Sequence, residues 1–560
     1  MKEADRQSIQ GSQSSMKVRT RCCLAPILLA LYFVNPARAD AQAPTVDNTI
    51  RLRVEQARQQ PTVGVRGTRL LQPEAIARFF EARAFAPAWR LPGSAVQMLA
   101  AIRNIDQDGL NPAHYHLGAI TAALDAYAKT PSTDVAADLQ VLIADAAAAL
   151  VDHVRYGRVR PASLDKRWNV DPRVGAPPLD IALEDLARAS ALDVGIESKK
   201  PTHFIYTGLK QALARMRAVA TAGGWPAVKA GATAIKPGAT DPRVAMVRKR
   251  LLVTGELAGT TSVDDTVYGA DLESAVKNFQ AHHRLTDDGV IGKATIEAMN
   301  VSAGARVQQL RVNLERARWV VGGLSDTFVL VNLPAFKAYV IRDRKNVWEA
   351  RTQIGRAARQ TPTFRADMKY LVLNPDWTVP PTILAQDVLA GMRKGQNTIA
   401  RKRLTILDQQ GRAVDPASID WQTATPGNFR YTLRQPPGPD NALGRVKFIF
   451  PNQYSIFLHD TPSQELFTSD QRTFSSGCIR VEHPLDMAAI LLEGQENWTP
   501  ARIQEVVASQ ESHTVFLTTP LPVLIVYWTA SVGASGELRF ATDVYTLDPA
   551  VLRALGDTQP

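Results

Sequence analysis

The hydrophobic pattern divides the chain into segments of different rhythm. A short apolar run, Cys22 to Val34 (CCLAPILLALYFV), gives way to a polar stretch without period, which predicts a flexible lead-in over residues 40–64. From Leu70 to about Ala220, Ala and Leu recur at helical spacing. Within Ala136 to Val154, for example, Leu139, Leu142, Ile143, Ala147, Leu150 and Val154 fall near one face, and Gly157 and Pro161 stop that helix. Residues 65–222 are expected to be a helical domain. A Gly- and Pro-rich break over 223–240 reads as a linker. Residues 241–301 then predict three short helices. The first is opened by Asp241-Pro242 and striped by Val244, Val247, Leu251 and Leu252. The second, Asp271 to His283, buries Leu272, Val276 and Phe279, and the third starts near Gly292. Sixty residues are close to the lower limit for an independent core.

A basic helix, Val307 to Val320, is expected to connect this module (302–326) to a region of different period. Phe328–Asn332, Ala338–Ile341, Tyr370–Asn374, Lys447–Phe450, Ser455–His459 and Thr514–Leu517 read as short strands, and Leu521–Trp528 as a buried one. They predict a β-rich domain over 327–530, followed by an extension over 531–560. Residues 383–430 interrupt the strands with a long polar, partly helical insertion, and a loop of that length is usually functional. The fold class is multidomain α+β.

Composition changes this picture at the start of the chain. The 560 residues hold 3 cysteines, with no C-x-x-C pair, so disulfide scaffolds and Cys-based zinc modules are excluded. Lys17, Arg19 and Arg21, the apolar run and Ala37-Arg38-Ala39 have the layout of a secretory signal peptide over 1–39, whose true start is Met1 or Met16. The run is too short to span a bilayer, and no other segment reads as transmembrane. Cleavage after Ala39 removes Cys22 and Cys23 with six positive and two negative charges. The net charge then falls from +11 to about +7, and Cys478 is the one thiol left. The excess positive charge is spread along the chain, which argues against nucleic acid and suits an anionic wall polymer.

A single thiol in an exported chain has three readings: an intermolecular partner, inert burial or reactivity. The stretch His459 to Glu482 (HDTPSQELFTSDQRTFSSGCIRVE) favours reactivity. A free thiol is mostly protonated at neutral pH and needs a base or cation to activate it. His459, at a strand end, is the candidate base, and Arg480 is a candidate supporting charge. Gly477 permits a sharp turn, where backbone N–H groups at Ser476, Gly477 and Cys478 can face an oxyanion.

His459 with Ser475-Ser476-Gly477-Cys478-Ile479-Arg480 resembles the signature of the L,D-transpeptidase (YkuD) catalytic domain. Asn374 to Pro380 (NPDWTVP), Gly438 to Gly444 (GPDNALG), Phe85 to Trp89 (FAPAW) and Gly157-Arg158 resemble the large Gram-negative YcbB-type subgroup, which carries a capping segment, matching 383–430. Ala275 to Gln280 (AVKNFQ) and Asp288 to Gly292 (DGVIG) resemble a peptidoglycan-binding module. The resemblance implies a helical scaffold domain, a peptidoglycan-binding-like domain and a β-rich catalytic domain acting in the periplasm.

It further implies Cys478 as nucleophile, His459 as general base, the Ser476–Gly477 turn as oxyanion hole and Arg480 as supporting charge. Peptidoglycan tetrapeptide stems would be donor and acceptor in 3-3 cross-linking, carbapenem-type lactams would acylate the thiol, and no cofactor or metal is implied. Trp377 and Tyr454 are candidate substrate contacts, with core packing as the competing role. Where many members have His, this chain has Ser476, and Val481-Glu482-His483 stands where they have an Asn. A backbone carbonyl of the Ser475–Gly477 turn is therefore expected to orient His459. Two alternatives share the sequence: an L,D-carboxypeptidase using water, and an inactive wall-binding scaffold. Ser163-Leu164-Asp165-Lys166 mimics a serine-enzyme motif without its partner motifs and reads as chance. His282-His283 lacks a metal-site pattern. His483 is the rival base.

Overall fold

The structure, a computed structural model, describes residues 45–60, 62–258, 262, 264–533 and 536–556. The expected signal peptide over 1–39 lies outside the described residues. The lead-in does not behave as a tether. Val46–Gln59 is a helix whose first turn is capped by the Thr45 hydroxyl, and it buries Ile50, Val54 and Ala57 against Thr133–Tyr156. The stripe escapes a periodicity reading because Arg and Gln fill the positions between its few apolar residues. Arg53 also ties this helix to Asp138, with Nε to Oδ1 at 2.7 Å.

Thr133–Tyr156 is the axis of the helical half. Ser132 caps it, and it ends at Gly157 with φ +88°. A Cβ at Gly157 would lie 2.7 Å from Glu315 Oε1, so glycine is required there by contact as well as by backbone. Ala303–Val321, expected as a connecting helix, supplies that Glu315 and is a core element. It is buried along most of its length, and three of its polar side chains are paired inside: Arg318 with Glu315 (3.0 Å), Arg316 with Asp548, and Asn313 with Thr529. Burying ions costs least where they have such partners. The three-helix module forms as Arg243–Thr254, Ala270–His282 and Lys293–Asn300 around Val247, Leu251, Phe279 and Met299. The expected linker contributes Val228 and Ile235 to that core, so much of it belongs to the module.

The β-rich half is a nine-stranded sheet. Its order is Thr473–Ser475, Lys345–Gly355, Ile479–Val481, Leu458–His459, Val446–Ile449, Phe364–Leu373, His513–Val526, Phe328–Asn332 and Lys337–Arg342. Lys337–Arg342 also pairs with Lys345–Gly355, which closes eight of the strands on themselves. The segments read as Thr514–Leu517 and Leu521–Trp528 are one strand with a register break between Phe516 and Leu521. One face of the sheet, through Phe328, Leu330, Leu524 and Val526, joins the helical core without a break. The other encloses a second core around Val331, Leu371, Phe448, Leu458 and Ile479.

The insertion is larger than expected. A small sheet of Trp377–Thr378, Thr432–Gln435 and Thr405–Leu407, with an apolar cluster including Val388, Ile399, Ile406, Leu433 and Leu443, makes a cap with its own core. The extension over 531–560 is structural rather than appended. Its strands Ala530–Val532 and Leu538–Phe540 pair, and Asp548–Ala554 packs Val551 and Leu552 into the helical core.

Candidate active site

Four neighbouring strands align four side chains in a row. Lys447 pairs with His459, His459 with Arg480, and Arg480 with Gln353. Directly paired residues project from the same face of a sheet. Cys478, two positions before Arg480, lies on that face at the edge of the row, where Ile479 N donates to Phe457 O at 3.0 Å. The nineteen positions between His459 and Cys478 thus reduce to a diagonal across adjacent strands, with Leu458 paired to Ile479 and His459 to Arg480. The thiol is half-buried and makes a long contact, 3.7 Å, with the Ser455 carbonyl.

The turn before Cys478 is pinned from three sides. Ser475 Oγ donates to the Cys478 carbonyl and accepts from Gly477 N at 3.1 Å. Thr361 Oγ1 donates to the Gly477 carbonyl at 2.7 Å and accepts from Gly355 N at 2.9 Å. Ser476 Oγ accepts from Arg359 at 2.8 Å, and the same guanidinium grips Asp387 and Gln386 of the cap. Gly477 has φ +123°, and a Cβ there would meet Ile456 Cδ1 at 3.0 Å. The Gly477 N–H, expected in the oxyanion hole, is instead engaged by Ser475. The Cys478 N–H has no hydrogen-bond partner among the described residues, which leaves it as the available donor.

His459 is 4% exposed, and its Nδ1 hydrogen-bonds to the Asp460 carbonyl. A carbonyl can only accept, so the proton sits on Nδ1 and Nε2 is the free base. The orienting group is a backbone carbonyl, as expected, but from Asp460 and not from the Ser475–Gly477 turn, whose carbonyl at Gly477 is held by Thr361. Asp460 is itself fixed by Arg445, with both N and Nε at 2.9 Å, and by Gln464 at 3.0 Å. Burial, then the charges of Arg480 and Lys447, pull the imidazole down to about 3, so it is neutral at pH 7. Burial pushes the Cys478 thiol up, while the Phe457 N–H, Lys447 and Arg480 oppose that push. Part of the sulfur still reaches solvent, which weakens the effect of burial. The resting site is therefore a neutral thiol and neutral imidazole between two cations. These cations favour negative charge on sulfur or on a substrate oxygen and disfavour a resting imidazolium.

Arg480 lies between His459 and Gln353, to which it donates at 3.0 Å. Trp377 is 8% exposed and belongs to the cap core, so it is a packing residue and not a substrate contact. Tyr454 packs its ring at a tilt against Phe364, 5.0 Å between centroids, and its hydroxyl donates to the Arg167 carbonyl, so it joins the helical and β-rich halves. His483 has a side chain 69% exposed beside Glu482 and is not brought to the thiol. Ser163 donates to its own turn at Arg160, and His283 is buried against the Phe279 ring at 3.8 Å. Lys447, Arg359, Thr361 and Tyr545 were not singled out by sequence. Tyr545 donates to the Gly355 carbonyl and accepts from Thr361 N, so the C-terminal extension buttresses the same turn. Only strand register reveals these residues, because none carries a local motif.

Known proteins resemble the chain in parts. Family models match residues 74–213 as "Scaffold domain", 240–299 as "Putative peptidoglycan binding domain" and 326–507 as "L,D-transpeptidase catalytic domain". A Haemophilus influenzae protein named "Putative L,D-transpeptidase" is 36% identical over 241 residues, 43% of this chain and 48% of that protein. The chain thus spans about half the length of the curated relative it matches. Among solved structures, an L,D-transpeptidase from Xylanimonas cellulosilytica aligns over 53% of this chain and 100% of its own, with 14% identity and a TM-score of 0.17. One from Stackebrandtia nassauensis aligns over 54% and 96%, with 10% identity and a TM-score of 0.20. Scores this low carry no weight for the fold. The sequence matches coincide with the helical half, the three-helix module and the closed sheet, and residues 326–507 are an L,D-transpeptidase catalytic domain of the YkuD family, joined in one chain to a peptidoglycan-binding domain.

Proposed function

We propose that the chain is an exported, periplasmic L,D-transpeptidase that forms 3-3 cross-links between peptidoglycan stems. The observation that carries this reading is the row Lys447, His459, Arg480 beside a half-buried Cys478 on a pinned glycine turn. His459 Nε2 takes the thiol proton as Sγ attacks the carbonyl carbon of the third residue of a donor tetrapeptide. Negative charge passes to the carbonyl oxygen, facing the Cys478 N–H and the two cations. The C–N bond to the terminal D-Ala breaks, its amine takes the proton from the imidazolium, and a thioester remains. The side-chain amine of an acceptor stem then attacks the thioester carbon, His459 accepts its proton, and the amide forms as the thiolate leaves and is reprotonated. Both half-reactions use the same two residues, which suits a chain whose mature form holds one thiol.

The test is to incubate the mature protein with tetrapeptide muropeptides and resolve the products by mass spectrometry. Dimers joined through diaminopimelate, absent with Cys478→Ala, are expected. Trimmed tripeptides without dimers would replace cross-linking by hydrolysis, and no product would point to a non-catalytic wall-binding role. A carbapenem adduct on Cys478 is expected as an independent readout of the nucleophile.

A further inference from the structure

A cavity of about 410 Å³ lies between the peptidoglycan-binding domain and the helical half, far along the chain from Cys478. Its wall includes Arg250, Arg306, Trp225, Asn278 and Glu256, with Arg215 on its exposed rim. Arg250 and Arg306 are 1% and 6% exposed. Other buried arginines of this chain have carboxylates against them: Arg248 with Asp271, Arg316 with Asp548, and Arg318 with Glu315. Arg250 and Arg306 form no ion pair among the described residues. Arg250 donates to the Met299 carbonyl at 3.0 Å and to Thr254 Oγ1 at 2.7 Å. Arg306 donates to Gln309 at 2.7 Å and to the Ala298 carbonyl at 3.2 Å, while its Nε has no acceptor. The buried indole N–H of Trp225 has none either. Glu256 is the wall's one carboxylate. It is engaged by the Thr254 hydroxyl and acts on Arg250, whereas the charged group felt by Arg306 is Arg250, which repels it.

Two guanidinium groups held close, desolvated and short of negative charge are costly unless something neutralises them. Their aromatic contacts, Arg250 over Trp225 at 3.8 Å and Arg306 over Phe540 at 4.3 Å, supply part of that. They leave Arg250 Nη2 with no acceptor among the described residues. We propose that this cavity is a binding site for an oxyanion, a carboxylate or phosphate group, held by Arg250 and Arg306. Planar guanidinium forks match either group, and the volume admits more than a bare ion. A ligand there would touch both the binding module and the helical half. This site is independent of the catalytic reading, since none of its groups belongs to the row beside Cys478.

The test uses the full mature chain labelled with 5-fluorotryptophan, with the Trp225 resonance assigned by Trp225→Phe. Inorganic phosphate and N-acetyl-D-alanine are titrated at constant ionic strength against chloride. A saturable shift of the Trp225 signal is expected with at least one of them, weakened 10-fold or more by Arg306→Gln. A response to phosphate alone assigns a phosphate ligand, and a response to N-acetyl-D-alanine alone assigns a stem-type carboxylate. No shift beyond that of chloride overturns the proposal, leaving aromatic stacking as the whole role of the arginines. Should Arg306→Gln fail to fold, calorimetry on Arg306→Lys, which keeps the charge and loses the planar fork, must still show weaker binding. Unchanged affinity there overturns it as well.

Discussion

Thr361→Val would remove one hydroxyl at almost constant volume, with separate effects on stability and on rate. Thr361 is buried, and its Oγ1 bridges Gly355 N and the Gly477 carbonyl. Valine leaves both backbone groups without that partner. A buried polar group stripped of its partner costs about 1–3 kcal/mol, so two of them should lower stability by about 3 kcal/mol after partial relaxation. The kinetic effect has a different origin. Freed of its anchor, the Gly477 carbonyl can rotate and carry the Cys478 N–H and Sγ with it, and misplacement by about 1 Å can cost on the order of 100-fold in rate. Urea unfolding would read the first effect. The second-order rate of carbapenem acylation at Cys478, followed by intact mass under native conditions, would read the second. Thr361→Ser keeps the hydroxyl and loses one methyl, so it should cost about 1 kcal/mol and leave the rate near that of the parent. A folded Thr361→Val that acylates at the parent rate would refute the idea that this hydroxyl holds the turn.

Gly477→Ala should abolish acylation while leaving the fold intact, because an alanine at φ +123° with its Cβ at 3.0 Å from Ile456 Cδ1 must displace the turn. Far-UV circular dichroism with the acylation assay checks both halves of that statement. Asp387→Asn weakens the grip of Arg359 on the cap, and limited proteolysis should then cut within the insertion several-fold faster. An unchanged cutting rate would mean the contact does not hold the cap. For pH, burial holds His459 and His153 down to about 3 and also lowers His283. Below about pH 6.5 the unfolded chain binds protons that these folded imidazoles refuse, so their contribution to stability is full above that pH and is lost as pH falls toward about 3. The urea midpoint should decline steadily from pH 7 to pH 4.5, with His459 and His153 each contributing roughly 2–3 kcal/mol of the loss, and His459→Gln should flatten part of the slope.

What could be read before the fold was known was whatever the chemistry wrote locally. Ser475 to Arg480 and the strand-end His459 sit in a contiguous stretch with a recognisable turn, and the three-helix module keeps its apolar stripe within each helix. Residues that act through register were invisible. Lys447 and Gln353 are ordinary strand residues until pairing sets them on either side of His459 and Arg480. Ala303–Val321 reads only as a basic connecting helix because the partners that allow its burial, Thr529 and Asp548, come from the far end of the chain. Trp377 drew attention as an aromatic beside a motif, and its place in the cap core gives the plainer reason for its presence.

These distant contributions share one target. The C-terminal extension sends Tyr545 to Gly355 and Thr361, the cap meets Arg359, and both lines end on the Ser475–Gly477 turn. A glycine turn with positive φ is inherently loose, and a nucleophile on it would sample many positions. Here two residues of the turn before Cys478 are tied to other parts of the chain. Gly477 is held through Thr361, Ser476 through Arg359, and Ser475 through its own bonds to Gly477 and Cys478. The order of the turn therefore depends on segments that look peripheral in sequence. Tyr545→Phe should impair the nucleophile before it impairs the sheet, because the Tyr545 hydroxyl supports the turn and the strand hydrogen bonds do not pass through it. Loss of acylation with the sheet retained would support that order, and retention of both would contradict it.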